Sequence, residues 1–203
     1  MPIRSCKVIA VEGTQAAGKT TLVHALTAHL RERSVNVLCT GEPARSSPFM
    51  EEIVLHRKGN FDLAAELDLF AQQLTVPLRA ARNQQLLITD KTPANVLALA
   101  RLVLDITEPR TGAVLAACDA LCRAWMPAAY DLILYCRDRF DQKAGGDRMR
   151  EKVLSLQEES DHVIFQACVD TGVPILEVPT GMSTHERVQW VAERVTHLGV
   201  AAT

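Results

Sequence analysis

The 203-residue chain lacks any long apolar run: the stretch after the basic N-terminus spans only Val8 to Val11 before it meets Glu12. That is too short for a signal-peptide core or a membrane span, and no later segment reaches the length that spanning requires. The expected location is the cytoplasm. An excess of one charge is also missing. The formal net charge is −2 with both signs spread along the chain, so there is no basic stripe to neutralise a nucleic-acid backbone, and a small molecule is the expected partner. Cysteine pairs at metal-binding spacing are absent too. The six cysteines, at positions 6, 39, 118, 122, 136 and 168, never form Cys-x-x-Cys. Most sit in apolar runs as buried free thiols, and the Cys118/Cys122 turn lacks a second ligand pair for zinc. Internal repeats and low-complexity segments are missing as well.

What is present is an alternation of short apolar runs with longer segments of helical period, the mark of an α/β fold with parallel strands and crossover helices. With 48% hydrophobic residues, the length suits one buried domain over 1–203. The spacing predicts strands at 7–12, 35–40, 85–89, 131–136 and 174–178. Helices are predicted at 19–33, near Pro48, from an Asp62 cap, and at 93–105, 111–125, 148–171 and 183–198. Pro77 should kink the third helix.

The clearest signal is Gly13-Thr14-Gln15-Ala16-Ala17-Gly18-Lys19-Thr20 between the first strand and first helix. It fits G-x-x-x-x-G-K-[ST], whose backbone N–H groups and helix N-terminus cradle phosphates. Lys19 would meet the β- and γ-phosphates of ATP, and the Thr20 hydroxyl would ligate Mg²⁺. Thr21 is placed either to contact the α-phosphate or to serve as an ordinary first-turn residue.

Three further segments point toward phosphoryl transfer to a small acceptor. Thr40-Gly41-Glu42-Pro43-Ala44-Arg45 follows the second strand at the ligand-binding edge of the sheet. There Glu42 would take a proton from an acceptor hydroxyl or hold it in line, and Arg45 would steady phosphoryl charge, although Glu-Pro is also a common strand exit. Asp90 and Lys91 follow the third strand, Asp90 as a Mg²⁺ partner and Lys91 toward phosphate; the alternative for Asp90 is merely capping the next helix. The polar stretch 137–150 carries Arg137, Arg139, Lys143, Arg148 and Arg150 around Gly145-Gly146 and reads either as a basic lid or as a solvated charge run. Arg148 is the catalytic candidate there. A nucleotide-dependent regulatory switch is the alternative class, but Asn-Lys-x-Asp does not occur, and the third strand leads into Asp90-Lys91-Thr92-Pro93 rather than Asp-x-x-Gly. A noncatalytic ATP-binding module would keep the loop without the transfer.

On these residues the chain resembles the P-loop nucleoside and nucleotide kinases, above all the thymidylate kinase, deoxynucleoside kinase and ribosylnicotinamide kinase-like group. The resemblance implies a three-layer α/β/α fold around a five-stranded parallel sheet, with ATP and Mg²⁺ as donor and cofactor. It extends to Gly41-Glu42-Pro43, to Asp90-Lys91, and to Asp147-Arg148 in the lid. It also implies that 67–82 lines the acceptor pocket, where Phe70, Gln72 and Gln73 would meet a planar group. Helix 111–125 would pair two copies into a homodimer. Three departures count against a housekeeping thymidylate kinase: Lys91 in place of arginine, Gln15 in place of an acidic residue, and Ala-Arg after Glu-Pro. They leave the acceptor open among nucleosides, nucleoside monophosphates and related metabolites.

Overall fold

The computed structural model describes residues 5–55, 61–140, 157–195 and 198. Its strands are β1 (Lys7–Glu12), β2 (Val37–Thr40), β3 (Leu86–Asp90), β4 (Leu132–Cys136) and β5 (Ile175–Val178). Every pairing is parallel and the order is β2-β3-β1-β4-β5. The helices are α1 (Lys19–Glu32), a three-residue α2 (Pro48–Met50) continued by a wider turn over Glu51–Leu55, α3 (Leu63–Ala80), α4 (Pro93–Val103), α5 (Pro109–Ala129), α6 (Gln157–Asp170) and α7 (Thr184–Val195).

Successive residues of a strand point to opposite faces, and two cores result. Ile9, Val11, Ile88 and Leu134 pack under α1 and α7. Val8, Ala10, Leu87, Ile133 and Tyr135 pack under α3 to α6. Both faces are therefore covered, which is why the strands read as nearly continuous Val, Ile and Leu. The connection leaving β1 crosses one face and the one leaving β3 crosses the other. Between these neighbouring strands opens the crevice where ligands bind in open α/β sheets.

The element bounds differ from the sequence reading where local hydrogen bonds intervene. β2 begins at Val37 because the Val35 N–H turns back to the Leu30 carbonyl, at 3.1 Å. The Asn36 side chain is likewise spent on Asn83 O, at 2.8 Å. In α3, Asp62 caps as expected, accepting from Ala65 N at 2.9 Å, and the helix continues through Pro77 to Ala80. α5 starts earlier than expected, because the Glu108 carboxylate accepts from the backbone of Arg110 and Thr111. It ends later, at Ala129, passing Pro127 in its last turn. Among the described residues no helix is long and apolar enough to cross a membrane. Cys6, Cys118, Cys122, Cys136 and Cys168 are buried free thiols and Cys39 is half-buried.

Candidate functional site

β1 ends on Glu12, which is fully buried. Its carboxylate accepts from Thr92 Oγ1 at 2.6 Å and from Asn95 Nδ2 at 2.7 Å, so it ties the root of the phosphate loop to the N-terminus of α4. Burial pushes its pKa up, and those two donors with Lys19 and Lys91 pull it back. Gly13 follows because nothing larger fits. Its φ is 132°, and a Cβ there would lie 2.1 Å from the Cys136 carbonyl oxygen of β4. Gly18, at φ 75°, turns the loop into α1.

Lys19, 7% exposed, curls over the loop and donates to Thr14 O at 2.5 Å. Burial and then the like charge of Lys91 push its pKa down, while Asp90, Glu42 and Glu12 pull it up. The Thr20 hydroxyl donates to Asp90 Oδ2 at 2.6 Å, bringing together two groups seventy residues apart. Asp90 Oδ1 is buried with no hydrogen-bond partner. A hydroxyl and a carboxylate with an unsatisfied buried oxygen, beside a phosphate loop, fit a hard divalent cation that takes its other ligands from phosphate and water. Among the described residues no group of three or more His, Cys, Asp or Glu side chains is placed to hold a metal by itself.

Glu42, at the exit of β2, meets Lys91 at 2.5 Å and Arg45 at 3.7 Å. Lys91 sits at φ 73°, a left-handed conformation uncommon for lysine and of the kind found where a site over-determines the backbone. The Lys91 charge, opposed by burial and aided by their hydrogen bond, holds Glu42 down at about 2. Burial pulls Lys91 down, but Glu42, by charge and hydrogen bond, together with Asp90 and Glu12 lifts its pKa above the ordinary lysine value. Lys91, read from the sequence as a phosphate contact, is thus placed in an ion pair with Glu42.

These groups share one cavity of about 400 Å³, lined by the loop from Gln15 to Thr21, by Glu42, Arg45 and Lys91, and by side chains of α3 and α4. Gln73 lines it and donates to Asp90 O at 3.1 Å. The other two α3 candidates lie elsewhere. Phe70, 6% exposed, belongs to the core beneath the sheet. Gln72 is turned toward α2, hydrogen-bonded with Asp68 at 2.7 Å and Ser46 at 3.4 Å. The physical reason is phase: the buried stripe of α3 runs through Glu66, Leu69, Phe70, Gln73 and Pro77, and Gln72 falls about 100° away from Gln73.

Of the lid candidates, Arg137 is committed to Glu177 at 2.5 Å and Asp161 at 2.9 Å and stacks on Phe165. Arg148, Lys143 and Arg150, with Asp147 and the glycine pair, lie outside the described residues.

Sequence reasoning missed three charged residues. Glu12 is one. Arg187, 2% exposed, donates to Ala17 O at 3.0 Å, pairs with Asp138 and covers the ring of Phe140, whose N–H meets Ala16 O. It clamps the phosphate loop from behind. Glu66, 6% exposed, lines the cavity. The signal was available for the last two: each is a charge on the apolar stripe of its helix.

A family model described as an AAA domain matches residues 8–187. The chain belongs to that family. None of the curated proteins matches it in sequence. Among solved structures it is similar to a thymidylate kinase from Candida albicans at TM-score 0.68 and 19% identity, covering 96% of this chain and 93% of that one. A deoxyadenosine kinase from M. mycoides with bound dATP is similar at TM-score 0.64 and 16% identity, covering 93% and 99%. A NadR protein in complex with NR follows at TM-score 0.67 and 20% identity; the match takes in 99% of this chain but 54% of that one. At these identities the likeness establishes the fold, and it is the fold of the group read from the sequence.

Proposed function

We propose that the protein is a Mg²⁺-dependent kinase that transfers the γ-phosphoryl group of ATP to a hydroxyl of a nucleoside, a nucleoside monophosphate or a related small molecule. The observation that carries this is the placing of Thr20, hydrogen-bonded to the buried Asp90, and of the Glu42–Lys91 pair on the walls of a single cavity. A loop that only bound nucleotide would have no use for a second charged pair on the acceptor side. The folds it resembles include a thymidylate kinase and a deoxyadenosine kinase.

Lys19 and the loop amides hold the triphosphate, and Arg187 fixes the loop that presents them. Thr20 and Asp90 would hold Mg²⁺, which supplies charge neutralisation to the phosphate oxygens. Glu42 accepts a hydrogen bond from the acceptor hydroxyl. Because Lys91 holds it at about 2, it orients the nucleophile rather than removing its proton early. That suits a loose transition state, in which positioning and charge stabilisation do most of the catalysis. The partner under this reading is a small molecule in the cytoplasm, with α5 as the surface for a second copy.

The test is phosphorylated product from ATP-Mg²⁺ with a panel of nucleosides, nucleoside monophosphates and sugars, with Lys19→Ala as control. Transfer to at least one acceptor, abolished in the variant, is expected. Slow hydrolysis unstimulated by every acceptor, or full activity of Lys19→Ala, would overturn the reading.

A further inference from the structure

The transfer chemistry assigns no task to Glu66. Its carboxyl occupies the buried stripe of α3 and lines the cavity beside apolar Phe61, Leu69, Val96 and Leu99. It also borders a small recess formed with Phe70 and Cys118. A leucine or methionine would pack such a wall better, since a buried carboxyl must be compensated. Burial pushes its pKa up to about 7, with Lys91 pulling down and Asp62 pushing up. Lys91 is already engaged by Glu42. A carboxyl poised there ionises at almost no cost near neutral pH, so an arriving N–H donor or cation gains a charge-assisted hydrogen bond in a low-dielectric wall. An anion gains nothing from it. The apolar side chains around it offer flat surfaces to a ring.

We propose that Glu66 determines acceptor specificity by pairing its carboxylate with a planar, nitrogen-bearing head group that both donates hydrogen bonds and carries positive charge. The phosphoryl acceptor is accordingly an alcohol bearing such a head rather than an acidic one. Only the word acceptor rests on the kinase reading; the binding chemistry stands on the cavity.

Three probes of one shape test this on the full chain: benzamidine, its neutral isostere benzamide, and benzoate. Calorimetric titration at pH 7 in buffers of different ionisation enthalpy reads both affinity and proton exchange. Benzamidine should bind roughly tenfold or more tighter than benzamide, with benzoate weakest. It should also expel about half a proton, as the carboxyl gives up what it holds at that pH. Its affinity should rise between about pH 6 and pH 8. The other groups facing Glu66 are Asp62 on its own helix, Lys91 and Glu42 from the sheet edge and Cys118 from α5; Lys91 and Cys118 are held up and Glu42 down. In Glu66→Gln the preference for benzamidine, the proton release and the pH slope should all vanish, while benzamide binding persists. Equal or tighter binding of benzamide or benzoate, or benzamidine binding without proton release, would overturn the proposal, and the wild-type measurements suffice should the variant not fold. Phosphoryl transfer without this signature sinks the role of Glu66 and leaves the kinase; the signature without transfer to any acceptor does the reverse.

Discussion

Removing Lys91 tests whether the Glu42–Lys91 pair is a built part of the acceptor side. Glu42 is held at about 2 against an ordinary 4.5. At about 1.4 kcal/mol per pH unit, that difference makes its ionisation contribute roughly 3 kcal/mol to folding. Because the folded value is depressed, the contribution is fully present above about pH 4.5 and is lost as pH falls toward 2. Lys91→Met removes the charge that lowers Glu42 most and leaves burial opposed only by the weaker pulls of Lys19 and Arg45. The carboxyl then rises and becomes a poorly compensated, partly buried charge at pH 7. Relief of the burial of Lys91 itself offsets part, so the variant should lose roughly 2–4 kcal/mol in urea unfolding at pH 7. The deficit should shrink at pH 5, where the variant's Glu42 binds a proton. Glu42→Gln with Lys91→Met should recover a large part of the loss, since a neutral amide needs no counter-charge. A single variant losing under about 1 kcal/mol, or a double variant no better than the single, would refute the electrostatic account.

Gly13→Ala places a Cβ 2.1 Å from the Cys136 carbonyl at φ 132°; it should lose more than about 3 kcal/mol or fail to fold, and near-native urea unfolding would refute the clash. Asp90→Asn keeps an oxygen for the Thr20 hydroxyl but removes the charge from the proposed cation site. The Mg²⁺ concentration needed for ATP to raise the thermal midpoint should climb roughly tenfold or more, and an unchanged Mg²⁺ dependence would remove Asp90 from the site. Arg187→Met frees Ala17 O and Asp138 from their shared guanidinium, so ATP affinity should fall roughly tenfold while acceptor binding changes less. Equal weakening of both would mean general destabilisation.

Strands were legible because both faces of the sheet are covered, leaving short runs of Val, Ile and Leu that stand out from helical period. Their ends were less so. The retreat of β2 from Val35 to Val37 depends on a carbonyl at the end of α1 and on Asn83, contacts that no local pattern announces. The phosphate-loop motif stood out because its spacing is local, although what excludes a side chain at Gly13 is the carbonyl of a strand more than a hundred residues away. On α3 the right helix was named, but the phase decided which glutamine faces the cavity. Arg187 and Glu66 interrupt apolar stripes, and a charge in that position is a stronger pointer to a site than any residue on a polar face.

Side-chain identity could place a carboxylate at position 42 but could not say how basic it is. That property belongs to the pair, and Lys91 reaches it from the end of another strand in a backbone conformation that sequence does not encode visibly. The same lysine pulls on Glu42, Glu66, Glu12 and Lys19 together. Under the proposed function, donor and acceptor sides would therefore be coupled through one largely enclosed cation. A ligand that drew Lys91 away from Glu42 would raise the basicity of Glu42 as a hydroxyl came into line, whereas arginine, with its fixed charge and forked donors, would hold the carboxylate more rigidly. On the proposed reading, lysine at this position would give the Glu42 carboxylate a means of changing strength as the site fills.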